Sequence, residues 1–89
     1  MFATFTDWSV DDPREFAENA NQIWPSMKEA GALNMRIVQT DEKSARTMTI
    51  WPDAETAQIA IEAISAVSFS QTGVKAVGGA RGALITEFD

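Results

Sequence analysis

The chain has 89 residues, carries thirteen acidic against seven basic side chains for a net charge of −6, and contains no cysteine, histidine or tyrosine. Those absences exclude disulfides and thiolate or imidazole metal sites, so no haem, no tightly held transition metal and no other cofactor is expected, and the usual general base near neutral pH is missing. The scattered basic residues argue against nucleic acid, no apolar run approaches the ~18 residues of a membrane span, and the expected compartment is the reducing cytoplasm.

The opening "MFATFT" is aromatic and β-branched enough for a first strand. "DDPREF" then starts a helix, with Asp12 as N-cap, Pro13 at the first helical position and Glu15 placed to complete a capping box. Phe16, Ala20, Ile23, Met27 and Ala30 form one apolar stripe along it. Pro25 removes one helical hydrogen bond and predicts a kink or break, after which the helix resumes to Gly31 as its C′ residue.

"ALNMRIVQT" and "SARTMTIWP" alternate with period 2 around the short polar "DEKS", which predicts a hairpin of two antiparallel strands. Asp53 caps a second helix with two apolar faces, one through Ala57, Ile61, Ile64 and Ser68 and the other through Ile59, Ala63, Ala66 and Ser70. Gly73 ends that helix, "VKAV" restarts extended chain, the cluster of Gly78, Gly79 and Gly82 allows a bulge or bend, and "ALITEF" completes a last strand. The order β-α-β-β-α-β, with right-handed crossovers, predicts one α+β domain over residues 1–89: a ferredoxin-like antiparallel sheet in the order 4-1-3-2 with both helices on one face.

If Met35, Ile37, Met48 and Ile50 face the helices, the other face carries Arg36, Val38 and Thr40 with Thr47, Thr49 and Trp51, joined by Thr4, Thr6 and Thr86 or their neighbours from the first and last strands. Threonine is a good strand former on a solvated face, and that alone is one reading. Trp51, Val38 and one of Phe2 or Phe5 stand against it: the mixture is too apolar for water and too polar for a dry core. It suits the wall of a cavity closed by a second sheet. The candidate ligand-binding residues are Trp51, Thr49, Thr47, Arg36, Val38 and Thr4. Arg36 and Arg46 are read as lying on different faces, so that an inward Arg36 could hold a carboxylate; the alternative is a surface arginine. Trp51 is expected to line water-accessible space, with Trp8 and Trp24 packing at the edge.

Through this element order, the Trp24-Pro25-Ser26-Met27-Lys28 stretch followed by "EAGA", the "MTIWPDAETAQ" corner and the closing "GALITEF", the whole chain resembles the dimeric α/β-barrel superfamily, which includes the antibiotic-biosynthesis-monooxygenase-like proteins. The resemblance implies a homodimer of ferredoxin-like protomers paired sheet to sheet, each enclosing a small cavity between sheet and helices that accepts an aromatic or carboxylate ligand. It also implies, as an alternative, a cofactor-independent monooxygenase-like or isomerase-like activity. The histidine that several such enzymes use is absent here. A homodimer fits the composition too, since a domain of this size buries only about 60 to 65% of its unfolded surface. Asp11-Asp12-Pro13-Arg14 partly resembles the Asp-x-Pro-Gly turn of ACT domains, a second ligand-sensing alternative, but Arg14 stands where that turn needs glycine and capping already explains the aspartate. Gly78-Gly79 lacks the Lys-Ser/Thr and helix of a phosphate loop, and neither Asp41-Glu42 nor Asp11-Asp12 has the spacing of a calcium loop.

Overall fold

The computed structural model describes residues 1–68 and 73–88. Its elements are β1 (Phe2–Val10), α1 (Pro13–Glu29), β2 (Asn34–Asp41), β3 (Ser44–Trp51), α2 (Ala54–Ser68) and β4 (Val74–Ala83). They form one antiparallel sheet in the order β2-β3-β1-β4, the predicted 4-1-3-2 order read from the other edge, and the fold is ferredoxin-like. Among the described residues no helix is long and apolar enough to cross a membrane.

Both helices begin where the local chemistry asks. The Asp12 carboxylate accepts hydrogen bonds from the backbone N–H groups of Arg14 (3.0 Å) and Glu15 (3.3 Å), and the Asp53 carboxylate accepts from Thr56 N–H (2.7 Å). Helix α1 runs unbroken through Pro25 to Glu29 rather than stopping there. It closes in a Schellman turn: Gly31 N–H donates to Lys28 C=O and Ala32 N–H to Met27 C=O, with Gly31 at φ 114°. A Cβ at Gly31 would also come within 2.6 Å of Thr56 Cγ2, so this glycine lets the end of α1 meet the start of α2.

Two irregularities set the faces of the sheet. Asp41 pairs with Ser44 across the hairpin, whereas Gln39 pairs with Ala45, leaving Thr40 as an extra residue. Without it, Met35 and Ile37 would share a face with Ile50 and Met48, as the alternation suggests. With it the parity flips, and Met35 sits opposite Thr49 and Ile37 opposite Thr47. The second irregularity inserts Val77 between the pairs Asp7–Gly78 and Trp8–Ala76. The last strand thus begins at "VKAV" and carries its irregularity beside the glycine cluster, as expected, but it ends at Ala83, and Leu84 to Phe88 of "ALITEF" lie beyond it. Gly79 is needed there because a Cβ would come within 2.6 Å of the Phe5 carbonyl oxygen.

The core lies between the sheet and α2, where Trp51, Ala57 and Ala60 are buried with Ala32, and Phe2, Trp24 and Met27 pack around them. On α2, Ile59 is exposed; the side chains of Ile64, Ala66 and Ser68, and Ser70 altogether, lie outside the described set.

Candidate functional site

The helix-facing side of the sheet carries a repeated pentapeptide. Thr4-Phe5-Thr6-Asp7-Trp8 on β1 and Thr47-Met48-Thr49-Ile50-Trp51 on β3 share the pattern Thr-x-Thr-x-Trp, and the strands run antiparallel with Thr4 opposite Thr49 and Thr6 opposite Thr47. Period-2 alternation puts all four threonines and both tryptophans on one face. A tryptophan caps each end of the threonine quartet, and each indole reaches diagonally across to the other strand. Trp51 Nε1–H donates to Thr4 Oγ1 at 2.9 Å, and Trp8 Nε1–H donates to Thr47 Oγ1 at 3.1 Å. Because β1 and β3 open the two β-α-β halves of the fold, the repeat occupies equivalent places in each half.

Above the quartet lies a cavity of about 240 Å³. The two indoles and four threonines form its floor together with Met35 and Ile37; Phe16, Asn19, Ala20, Ile23 and Met27 of α1 cover it, and Ile61, Val74 and Ala76 complete the wall. The stripe predicted for α1 is thus the roof of a cavity and does not lie flat on the strands. At the Trp8 end, the ring packs against Phe16 with centroids 5.5 Å apart and planes inclined at 46°. A second concavity adjoins this end, sharing Phe16, Asn19 and Val74 and rimmed by Asp11, Asp12 and Glu15. At the other end Trp51 also lines the cavity but is only 1% exposed and packs into the core, more deeply covered than the water-accessible position the sequence suggested.

The six residues expected at the site divide between the two faces. Thr4, Thr47, Thr49 and Trp51 come together on the cavity floor. Arg36 and Val38 pair with Met48 and Arg46 on the opposite face, a consequence of the Thr40 bulge, and Val38 is 57% exposed there. Arg36 and Arg46 therefore share a face. The wall of the cavity is made by the protein's own helices, not by a second sheet. Thr6, read with Thr4 on this face, lines the cavity too; Trp8, read as edge packing, and Asn19 escaped the sequence reading, and the repeated Thr-x-Thr-x-Trp was the signal for Trp8.

The opposite face presents Phe5, Met48 and Ile50 with Val38, alongside an ion pair in which Arg46 Nε–H (2.7 Å) and an Nη2–H (3.2 Å) reach the two carboxylate oxygens of Asp7. That hydrogen bond, reinforced by the guanidinium charge, holds the Asp7 carboxyl below the usual carboxylate range. The Asp53 carboxyl is also held low, first by the Thr56 backbone N–H at the helix cap.

No family model matches the sequence, and no curated protein matches it. Solved structures do match over nearly the whole chain. A dimeric ferredoxin-like protein from an uncultured marine organism superposes with a TM-score of 0.74 at 15% identity, covering 99% of this chain and 97% of its own. SnoaB, a cofactor-independent oxygenase from Streptomyces nogalater, gives 0.73 at 12% identity over 97% and 95%. A candidate antibiotic biosynthesis monooxygenase from Deinococcus radiodurans gives 0.62 at 13% over 100% and 97%. The structural neighbours are thus dimeric ferredoxin-like and monooxygenase-like proteins, and at these identities the likeness is one of fold.

Proposed function

We propose that this chain acts as a homodimer in which each protomer binds a small aromatic ligand in the cavity between its sheet and helices, with Thr4, Thr47, Thr49 and Trp51 as contacts. The observation that carries the reading is the cavity itself: some 240 Å³ of space kept open over hydroxyls and indoles, in a protein small enough that filling it would aid stability. That volume falls just under the roughly 300–1,000 Å³ of drug-sized sites, which suits a ligand of one or two rings. The homodimer is supported by the sheet face opposite the cavity, where Val38 is exposed beside the partly covered Phe5 and Met48, and by the dimeric protein of the same fold. Arg36 and Val38 then serve the dimer rather than the ligand. The reducing cytoplasm is the compartment that suits a cysteine-free protein without constraining it.

A second reading is catalytic, favoured by the shared fold of a cofactor-independent oxygenase. The side chains lining the cavity offer hydroxyl, amide and indole groups and no base that titrates near neutral pH. Oxygen chemistry here would need a substrate, such as a hydroxyaromatic, that supplies its own electrons.

Calorimetric titration with one- and two-ring aromatics tests the first reading. Micromolar binding that disappears in Ile23→Trp, which fills the cavity from α1, is the expected result; binding unchanged by that substitution overturns it. Light scattering should give a dimer, converted to monomer by Val38→Glu. Oxygen uptake with a hydroxyaromatic above the rate without protein would favour the enzyme.

A further inference from the structure

We infer that the cavity selects an uncharged aromatic carbonyl compound over the corresponding carboxylate, with the hydroxyls of Thr4 and Thr47 as the donors that recognise it. The inference rests on the ligand-binding reading above and concerns what the ligand's polar end must be. An indole N–H is a donor only, and both indoles at this site spend theirs within the protein, on Thr4 and Thr47. Neither tryptophan therefore offers a hydrogen bond to a ligand. A threonine oxygen that accepts from an indole keeps its own proton, and among the described residues no group accepts that proton from Thr4 or Thr47. Both residues line the cavity. The two diagonal bonds thus fix the threonine oxygens and leave their O–H groups to meet an acceptor.

The acceptor is not an anion. No lysine, arginine or other charged side chain is among the residues lining the cavity, and residues 64–72 of the sequence contain none. Arg36, Arg46 and Lys75, each next in sequence to a residue of this wall, are on the other face of the sheet, and Arg81, which pairs opposite Thr4, directs its guanidinium to Gln58 Oε1 on α2 (2.7 Å) and is not among the lining residues. At the Trp8 end an approaching anion would instead meet Asp11, Asp12 and Glu15, in a protein whose net charge is already −6. Two neutral hydroxyls do not replace the hydration of a carboxylate brought into such a space. A ketone, quinone or ester oxygen loses far less on entering and is matched by one or two donors.

Three probes of similar shape separate the possibilities: 2-acetonaphthone, 2-naphthoate and 2-ethylnaphthalene, titrated at pH 7 by calorimetry into the wild type, Thr47→Val and Thr47→Ser. Thr47 is the position to vary because its partner Trp8 is only half-buried, so the released N–H can find water. The ketone should bind about tenfold or more tightly than the carboxylate. Thr47→Val should weaken the ketone by about 3- to 10-fold while leaving the hydrocarbon unchanged, and Thr47→Ser should restore it. Naphthoate binding as tightly as the ketone overturns the inference, as does an equal effect of Thr47→Val on ketone and hydrocarbon; in both cases the cavity remains a binding site. If none of the three binds the folded wild-type protein, the binding reading itself fails and takes this one with it.

Discussion

The two ends of the threonine quartet repeat the same five-residue pattern and make the same indole-to-hydroxyl bond, yet they sit in different surroundings. At the Trp51 end the ring is 1% exposed, wedged among Ala57 and Ala60 of α2 with Ala32, and its partner Thr4 is buried too. At the Trp8 end the ring is half-buried, touches Phe16 and borders an acidic concavity, and its partner Thr47 is only partly covered. The small residues of α2 explain the difference: alanines at 57 and 60 let that helix close over one end, while the larger Phe16 and Ile23 hold α1 off the sheet at the other. One motif therefore serves as a packing anchor at one end and as the floor of an accessible cavity at the other.

The sharpest way to break this comparison is to truncate each tryptophan. Trp51→Ala should cost about 3–5 kcal/mol, enough to threaten folding of a domain this small. Trp8→Ala should cost about 1–2 kcal/mol, since only about half of the ring is buried to begin with. Urea denaturation of the two variants checks both values, and equal losses would mean that the two ends are not distinct.

Removing the acceptors should show the same asymmetry on a smaller scale. Thr4→Val preserves shape but strands the Trp51 N–H where no water reaches it, at a cost of about 1–3 kcal/mol, whereas Thr47→Val should cost under about 1 kcal/mol because water in the cavity can take the bond. Thermal melts of the pair read the difference directly, and a Thr4→Val protein as stable as wild type would show that the buried indole finds another partner.

These contrasts also mark what a sequence can disclose. The order of elements, the Asp12 and Asp53 caps and the Gly31 stop were legible because each depends on a handful of neighbouring residues. The assignment of faces was not, because a single extra residue, Thr40, reverses the parity of the β2–β3 pairing, and nothing in "VQTDEKS" announces it. Thus the Thr/Trp face was recognised as special but placed on the wrong side of the sheet, and Arg36 and Val38 were grouped with it. Strand β4 was extended too far, through "ALITEF", whereas its glycines, read as a bulge or bend, are accommodated in the strand where the neighbouring backbone approaches closely, as at Phe5 and Gly79.

The smallest expected effect is on pH dependence, and it too has one contributor at each end. Asp7, beside Trp8, is held low by Arg46, and Asp53, two residues past Trp51, is held low by the Thr56 N–H. A carboxyl whose folded-state pKa is depressed binds its proton more readily in the unfolded chain. Each therefore contributes stability above the ordinary carboxylate value of about 4, and that contribution is lost as pH falls from there through the folded-state value. Asp53 is exposed and Asp7 partly so, so each contribution is small in the protomer. Asp53→Asn isolates one of them, because asparagine caps a helix about as well as aspartate but carries no titrating group. At pH 7 this variant should match the wild type closely, and between pH 5 and pH 3, a window set by the roughly 3.9 of an unperturbed aspartate, it should lose less stability. Asp7→Asn should behave similarly in a monomeric Val38→Glu background but cost more in the proposed dimer, where the sheet face carrying the Asp7–Arg46 pair would be covered and screened less by solvent. Denaturation curves at three pH values for the single and double variants measure this. An Asp7→Asn effect that is the same in both backgrounds would place the dimer contact somewhere other than this face of the sheet.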